Sequence, residues 1–170
     1  ELSQGVAYNG YIYLIGGAST NDGTAQTTTY YASINADGTL GTWATTTALN
    51  VARKGHGVAV YNGYIYAIGG RNSGGTTVGS VEYSALNATN GTANAFANTR
   101  VRSTLTAYNG YLYLSGGAVP STNTVRNDIQ YAPLSASTGN TSGAWSTATT
   151  TLSSNLAGHG MVISNGVMYI

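Results

Sequence analysis

The chain has 170 residues and a formal net charge of +1, and only 6% of its residues are charged. Coiled coils, helical bundles and charge-rich disordered segments need Lys, Glu, Leu or net charge that this chain lacks, whereas its 24 glycines and 14 tyrosines favour turns and strands. The composition therefore predicts an all-β protein.

The sequence contains no cysteine, which excludes a disulfide scaffold, cysteine-ligated zinc, an iron–sulfur cluster and a cysteine nucleophile. A single lysine, Lys54, within a composition rich in Thr, Asn and Ser is common in secreted bacterial proteins, so we expect an extracellular or cell-surface location. The sequence shows no basic segment followed by an apolar run, as a signal peptide would, and no apolar run long enough to span a membrane. The small net charge does not favour nucleic acid as a partner.

One ten-residue segment recurs along the chain. It reads Tyr-Asn-Gly-Tyr-Ile-Tyr-Leu-Ile-Gly-Gly at residues 8–17, returns with few changes at 61–70 and 108–117, and begins a fourth time near Asn165. An Asn-Gly step between two runs of β-branched and aromatic residues is the strongest short-range signal for a β-hairpin with a type I′ turn. We call the two strands of each hairpin A and B.

Two further strands are predicted in each repeat. After strand B come two glycines, a polar segment, a strand C, a turn rich in Gly, Asn and Asp, and a strand D. Strand C carries Tyr30 and Tyr31, Tyr83 or Tyr131, and strand D carries Trp43, Phe96 or Trp145. Four strands in a repeat of about 50 residues are typical of a β-propeller blade. We predict blades at residues 1–52, 53–99 and 100–155, and a half blade of strands A and B at 156–170.

The spacing of glycines and aromatic residues resembles the kelch motif. Two glycines close strand B, a Tyr follows 13 or 14 residues later, and a Trp follows 12 to 14 residues after that, with Phe96 in place of the Trp in the second repeat. The resemblance implies that the glycines permit a close turn and that the aromatic residues pack between blades. These structural positions are Gly16, Gly17, Gly69, Gly70, Gly116, Gly117, Tyr31, Tyr83, Tyr131, Trp43, Phe96 and Trp145.

The predicted strands do not complete a ring, because propellers close with about four to eight blades. The last run, residues 166–170, ends inside a strand and would leave an apolar edge open to association. Two explanations stay open. The chain is a piece of a longer propeller, or copies of the chain assemble into one ring.

The charged residues are unevenly placed. In a four-stranded meander the A–B and C–D turns share one rim, and the B–C and D–A connections share the other. All six basic residues, both histidines and the acids Asp22 and Asp128 fall in B–C or D–A segments, whereas the opposite rim has Asp37 and no base. We call the B–C and D–A side the basic rim.

The basic rim is the predicted binding face, since arginine forks bind carboxylates well and binding loops on rigid scaffolds tend to be long and variable. We expect it to bind an acidic glycan or protein segment through Arg53, Lys54, Arg71, Asn72, Arg100, Arg102, Arg126 and Asp128. The alternative is that residues at the start of strand A bind backbone carbonyls of the neighbouring blade and hold the ring together. That alternative applies to Arg53, Arg102, His56 and His159.

Little in the sequence supports catalysis. Of the five acids, Glu1 is terminal and Glu82 lies on a strand, so a glycosidase pair would need aspartates from different rims or blades. Two histidines without a carboxylate cluster predict no metal site, and no cofactor is expected. Some kelch-like propellers are copper oxidases or sugar mutarotases, but the cysteine-linked tyrosine of the oxidases cannot form here.

These observations predict a non-catalytic recognition or scaffold module of a secreted or surface bacterial protein. Its expected partners are a glycan or protein ligand and either further blades of the same propeller or another copy of the chain. Two rival functions stay open. The chain is a fragment of a carbohydrate-active propeller enzyme whose catalytic residues lie outside it, or it is a repeat that serves assembly alone.

Overall fold

The structure is a computed structural model that describes residues 2–20, 23–85, 91–93 and 99–170, with only the backbone described for 91–93. All regular elements in these ranges are β-strands. Three four-stranded antiparallel sheets follow one another along the chain, and a two-stranded sheet comes last. The prediction of an all-β propeller architecture is confirmed.

The strands of each sheet follow the predicted order. Blade 1 comprises β1 (Gln4–Tyr8), β2 (Tyr11–Ile15), β3 (Thr29–Ser33) and β4 (Ala44–Thr46). Blade 2 comprises β5 (Gly57–Tyr61), β6 (Tyr64–Ile68), β7 (Val81–Ala85) and β8 (Gly91–Ala93). Blade 3 comprises β9 (Thr104–Tyr108), β10 (Tyr111–Ser115), β13 (Ile129–Pro133) and β14 (Ser146–Thr147). The half blade comprises β15 (Val162–Ser164) and β16 (Val167–Tyr169).

One hairpin was not predicted. The B–C segment of blade 3 contains β11 (Ala118–Val119) and β12 (Thr124–Val125), which pair with each other. Each of these strands has two residues, too short for an alternating pattern to reveal.

The Asn-Gly turns have the geometry that the sequence predicts. Asn9, Asn62, Asn109 and Asn165 have φ between 46° and 50°, and the glycines that follow them have φ of 78° to 80°. A type I′ turn requires positive φ at both central residues, and Asn and Gly adopt it at the lowest cost. The strands on either side pair in the same register in all three blades, so that Tyr8 faces Tyr11, Tyr61 faces Tyr64 and Tyr108 faces Tyr111.

Adjacent blades pack face to face. We call the face of a blade that looks back along the chain its leading face, and the opposite face its trailing face. Between blades 2 and 3, the trailing face of blade 2 supplies Ala59, Tyr66, Ile68 and Val81. The leading face of blade 3 supplies Leu105, Leu112 and Leu114, with Leu134 and Trp145 packed against the cluster. Tyr13, Ile15 and Val58 form the corresponding cluster between blades 1 and 2.

The two tryptophans differ in burial. Trp145 packs between blades 2 and 3 as predicted, whereas Trp43 is 41% exposed, so its place between blades stays a prediction. Trp43 lies on the leading face of blade 1, which no other sheet of the described structure covers. Both residues also come directly before strand D rather than within it, since β4 starts at Ala44 and β14 at Ser146. Phe96 lies outside the described residues.

Trp145→Ala and Trp43→Ala form a matched pair that tests this difference. Replacing a buried aromatic residue with Ala costs about 3–5 kcal/mol, and Trp145 is half-buried, so we expect a loss near the lower end. Trp43→Ala should cost much less. Urea unfolding in dilute solution measures both free energies, and equal losses would contradict the placement of the two side chains.

Candidate functional site

The glycine pairs connect each blade to the next at the basic rim. The second glycine of each pair donates its N–H across the blade boundary. Gly17 bonds to the carbonyl oxygen of Arg53 at 2.9 Å, Gly70 to that of Arg100 at 2.9 Å, and Gly117 to that of Leu156 at 2.7 Å. A side chain is excluded here: Gly70 has φ +83°, and a Cβ atom on it would lie 2.7 Å from the carbonyl oxygen of Lys54.

The side chains of Arg53 and Arg100 turn back into their own blades. Arg53 is fully buried and donates to the carbonyls of Gly69 at 3.1 Å and Ser80 at 3.0 Å, and it forms an ion pair with Glu82. Arg100 is also fully buried, and its donors reach the carbonyl of Gly116 and both carboxylate oxygens of Asp128. Each arginine therefore joins the end of strand B to the segment that begins strand C.

These contacts correct the prediction for three of the proposed ligand-binding residues. Arg53 and Arg100 are not available to a ligand. Each guanidinium is buried, and binding a ligand would break its ion pair and its hydrogen bonds to backbone carbonyls. Asp128 holds Arg100 instead of facing a ligand. Burial favours the neutral carboxyl group, but the hydrogen bonds and charge of Arg100, with the charge of Arg126, keep the pKa of Asp128 below its usual value.

The carboxylate that pairs with the arginine changes position between blades 2 and 3. The register of strands B and C makes Glu82 equivalent to Gln130, since both lie directly before the tyrosine that faces Tyr66 or Tyr113. Ser80 is then equivalent to Asp128. Blade 2 has Ser and Glu at the two positions, and blade 3 has Asp and Gln. Each arginine therefore pairs with one carboxylate, but the carboxylate comes from a different position in the two blades.

His56 lies between blades 1 and 2. It is fully buried, and a Cβ atom on Gly16 would lie 3.0 Å from its ring, so the histidine of blade 2 packs against the glycine pair of blade 1. Burial and the nearby charge of Arg53 lower the pKa of His56 to about 3. His159 has the same position in the half blade, where its Nε2 lies 2.8 Å from the hydroxyl of Ser115, and burial lowers its pKa.

The backbone forms a chain of hydrogen bonds around the propeller axis. Gly55 donates its N–H to the carbonyl of Leu2 at 3.0 Å, Arg102 donates to Gly55 at 2.7 Å, and Gly158 donates to Arg102 at 2.7 Å. All four residues have left-handed φ, at 56° for Leu2, 63° for Gly55, 55° for Arg102 and 74° for Gly158. One residue from each blade thus takes part, and two of the four are not glycine.

We call this chain of backbone hydrogen bonds the axial ring. Two cavities open beside it. Leu2, Gly55 and Arg102 line both cavities. The smaller, of about 200 Å³, also has Lys54, Arg71 and Asn123 in its wall. The larger, of about 540 Å³, extends to Ser103, Thr104 and His159. The cavities lie on the basic rim, at the entry to the strands A.

The remaining predicted binding residues separate into two groups. Arg71 lines the smaller cavity, and Lys54 lines it while its ammonium group donates to the carbonyl of Gly23 at 2.7 Å. Arg102 is exposed at both cavities. In contrast, Asn72 accepts the N–H of Thr76 within its own turn, and Arg126 is half-buried beside Asp128. Asp22 lies outside the described residues.

The predicted tyrosines pack in pairs within each blade. Tyr13 and Tyr31 have ring centroids 6.2 Å apart, and Tyr66 and Tyr83 have the same separation. Tyr113 and Tyr131 are 6.3 Å apart. The hydroxyl of Tyr66 also donates to the carbonyl of Gly139 in blade 3 at 2.8 Å, and Tyr31 and Tyr83 pack against the clusters between blades.

Sequence reasoning missed two features of this rim. The ion-pair partners Glu82 and Asp128 lie 29 and 28 residues after Arg53 and Arg100, and that recurrence in two repeats is a signal that could have found them. Leu2 was not singled out, because nothing in its type indicates a left-handed conformation. Aligning the repeats upstream of strand A would have shown that Leu2 is equivalent to Gly55 and Gly158. That equivalence would have predicted its left-handed conformation.

The described part of the chain holds no group of three or more His, Cys, Asp or Glu residues that could bind a metal ion. Among the same residues, no helix is long and apolar enough to cross a membrane.

Comparison with known proteins identifies the repeat. The family described as Kelch motif matches residues 52–83, which include strands A and B of blade 2 and the first three residues of its strand C. The fold is similar to that of the solved "Structure of YjhT", with a TM-score of 0.78 at 14% sequence identity over 99% of this chain. This chain spans 57% of the length of that protein. No curated protein sequence matches, and at this identity the structural likeness shows the fold alone.

The changed position of the carboxylate can be tested by giving blade 2 the arrangement of blade 3. Glu82→Gln leaves Arg53 buried without its carboxylate and should lower the free energy of unfolding by about 3–5 kcal/mol. Adding Ser80→Asp, which copies the Asp and Gln of blade 3, should recover the part of that loss that comes from the ion pair, but not the part that comes from the N–H groups of Asn50 and Val51, which donate to Glu82. Ser80→Asp alone is the control and should not stabilise, because it puts a second carboxylate beside Glu82. Chemical denaturation that shows no recovery in the double variant would contradict the equivalence.

His56 should make the protein less stable in acid. The pKa of His56 in the folded state, about 3, lies below the 6.5 of an exposed histidine in the unfolded chain, so the unfolded state binds the proton more readily. The contribution is complete above pH 6.5 and is lost as the pH falls, by about 1.4 kcal/mol per pH unit. Denaturation between pH 6.5 and 4.5, a window above the usual carboxyl range, measures it. His56→Gln should flatten the slope more than His159→Gln, and equal slopes in all three proteins would count against this explanation.

Proposed function

Because this chain is a kelch-like β-propeller, we propose that it is a non-catalytic recognition module that binds an acidic protein segment at the axial cavities of the basic rim. Propellers hold variable loops on a rigid frame, and such loops commonly carry binding residues. The proposal places the ligand over the axial ring, in contact with Arg102. Lys54 and Arg71 lie nearby in the wall of the smaller cavity.

The conformation of Arg102 is the observation that carries this proposal. A left-handed residue with a side chain costs roughly 1–2 kcal/mol relative to the right-handed form, and glycine avoids the cost. Blade 2 has Gly55 and the half blade has Gly158 at this position. Strained residues of this kind concentrate at binding and active sites. An exposed arginine in that position, between two cavities, is thus a candidate for an anchor.

The charges around the cavities favour an acidic ligand. Arg53 and Arg100 are neutralised by their buried partners Glu82 and Asp128, so they add little to the field at the rim. Arg102 presents its guanidinium to solvent, where it can form two parallel hydrogen bonds to one carboxylate. The larger cavity, of about 540 Å³, has the size of a typical ligand site. Leu2, which also lines both cavities, suits an apolar side chain next to the acidic one.

We further propose that the module acts outside the cell or on its surface. The support is compositional: there is no cysteine and only one lysine. Fractionation of the source cells, with detection by an antibody to this chain, tests the location. A cytosolic signal would reject it without affecting the proposed binding site.

Arg102→Gly should separate stability from binding. Glycine relieves the left-handed strain, so we expect the free energy of unfolding to stay level or to rise by up to about 1 kcal/mol. Affinity for an acidic probe should fall about 10- to 150-fold, since a hydrogen bond to a charged group contributes about 1.5–3 kcal/mol. Calorimetric titration with a Glu-rich peptide, and with the same peptide carrying Gln in place of Glu, measures the effect. Added salt should weaken the binding.

Arg126→Gln is the matched control, because it removes the same charge from the basic rim away from the axial cavities. It should leave affinity for the peptide nearly unchanged. Equal weakening in both variants would indicate attraction to overall charge and reject the site. An oligogalacturonate titrated in parallel tests the rival ligand, and tighter, Arg102-dependent binding of this acidic glycan would reject the protein ligand while keeping the site.

A further inference from the structure

The smaller of the two axial cavities, of about 200 Å³, has two polar side chains of blade 3 in its wall, those of Arg102 and Asn123. All the residues that line this cavity belong to blades 1, 2 and 3, so it forms without the half blade. Asn123 lies in the turn between β11 and β12, the hairpin that the sequence did not predict. This hairpin therefore contributes to the proposed binding site.

Backbone hydrogen bonds hold the hairpin against the segment that carries Arg102. Val101 comes directly before Arg102 and forms an isolated bridge with Ala118, the first residue of β11. Each of the two donates its N–H to the carbonyl of the other at 2.8 Å, and Val101 is buried. Arg102 and Asn123 thus lie on segments that are bonded to each other, and such support places binding groups more precisely than a free loop does.

Asn123 is exposed and has a left-handed φ of 51°. Gly75, with φ of 80°, has the corresponding place in the B–C segment of blade 2. It lies two residues before Thr77, which closes that segment with an isolated bridge, and Asn123 lies two residues before Val125, which closes the hairpin. Glycine adopts this conformation without strain, whereas Asn adopts it at a modest cost. The turn therefore does not require the amide that Asn123 adds to the cavity wall.

The side-chain amide of Asn123 has no hydrogen-bond partner among the described residues, although the backbone N–H of Asn123 donates to Pro120. A carboxamide has one acceptor oxygen and two N–H donors. The N–H and the carbonyl of one residue in extended conformation point to the same side of the chain. One carboxamide can therefore accept from that N–H and donate to that carbonyl, which is how it would bind the backbone of an extended peptide.

We propose that Asn123 is a specificity-determining residue, whose amide binds the backbone of the residue next to the acidic one in an extended peptide. This inference rests on the proposed function, because it takes Arg102 as the anchor of the carboxylate. Adjacent residues of an extended chain lie roughly 3.3–3.6 Å apart, a spacing that fits within the smaller cavity. Arg102 recognises the charge and Asn123 the peptide backbone, so the cavity favours a peptide over an acidic ligand that has no backbone N–H.

Asn123→Gly tests this contact without disturbing the turn, because glycine adopts the left-handed conformation. The probe is a glycine peptide with one central glutamate, titrated with NMR detection. Its affinity should fall about 2- to 13-fold for each neutral hydrogen bond that is lost. Asn109→Gly is the matched control, since Asn109 is also an exposed, left-handed asparagine but lies in an A–B turn on the opposite rim. It should bind like the unmodified chain, and an equally high affinity in Asn123→Gly overturns the proposal.

Two ester analogues of the peptide identify the group that the amide binds. In each, an ester oxygen replaces the backbone N–H of the residue before or after the glutamate. One of them should bind the unmodified chain more weakly than the parent peptide does, and this difference should vanish in Asn123→Gly, as expected for two groups in direct contact. A difference of the same size in both proteins, or no difference in either, rejects contact with the backbone.

Arg102→Gly, titrated with the same peptide, separates this inference from the proposed function. If Arg102→Gly binds as tightly as the unmodified chain, the proposed function is wrong and the role of Asn123 is rejected with it. If Arg102→Gly weakens binding and Asn123→Gly does not, the anchor is correct and only the role of Asn123 is rejected.

Discussion

The stack of blades depends on a buried arginine at each of two blade boundaries. The carbonyl of Arg53 accepts the N–H of Gly17 in the blade before it, while its side chain holds Gly69, Ser80 and Glu82 of its own blade. The backbone of Arg53 therefore joins the sheets of blades 1 and 2, and its side chain joins the two ends of the B–C connection in blade 2. A buried charge of this kind is costly without its partners. It follows that the glycine pair, the arginine and the acid act as one unit, and that a change to any of them affects the packing of the blades.

The repeats keep this unit while its parts vary. The carboxylate comes from Glu82 in blade 2 and from Asp128 in blade 3, and the half blade has Leu156 where the other two have arginine. Leu156 still accepts the N–H of Gly117 through its carbonyl, because that bond uses only the backbone. The contact between blades thus depends on chain conformation. The ion pair joins the ends of strands B and C within a blade, and in blade 2 the carboxylate of Glu82 also accepts the N–H groups of Asn50 and Val51 from the connection that follows blade 1.

Much of the fold could be predicted from the sequence, because its signals are local. The Asn-Gly steps determine the hairpins, and the glycine pairs mark the ends of strand B. The burial of individual side chains depends instead on which blades lie next to them in space. Trp43 and Trp145 have the same place in the repeat, yet one is exposed and the other packed, since burial depends on whether a blade lies in front. The sequence predicts that the basic residues lie in the B–C and D–A connections, but it does not reveal the ion pairs that bury Arg53 and Arg100, because these link residues almost 30 positions apart.

The axial ring shows how one backbone geometry can serve two purposes. At Gly55 and Gly158 the left-handed conformation brings the backbone close enough to bond with the neighbouring blade, and glycine adopts it without strain. Arg102 makes the same bond and keeps a long cationic side chain, so it bears a cost that packing of the blades does not require. Leu2 shows that a side chain fits there without charge. Packing therefore explains the backbone at this position but not the guanidinium, which is the group that the proposed ligand would bind.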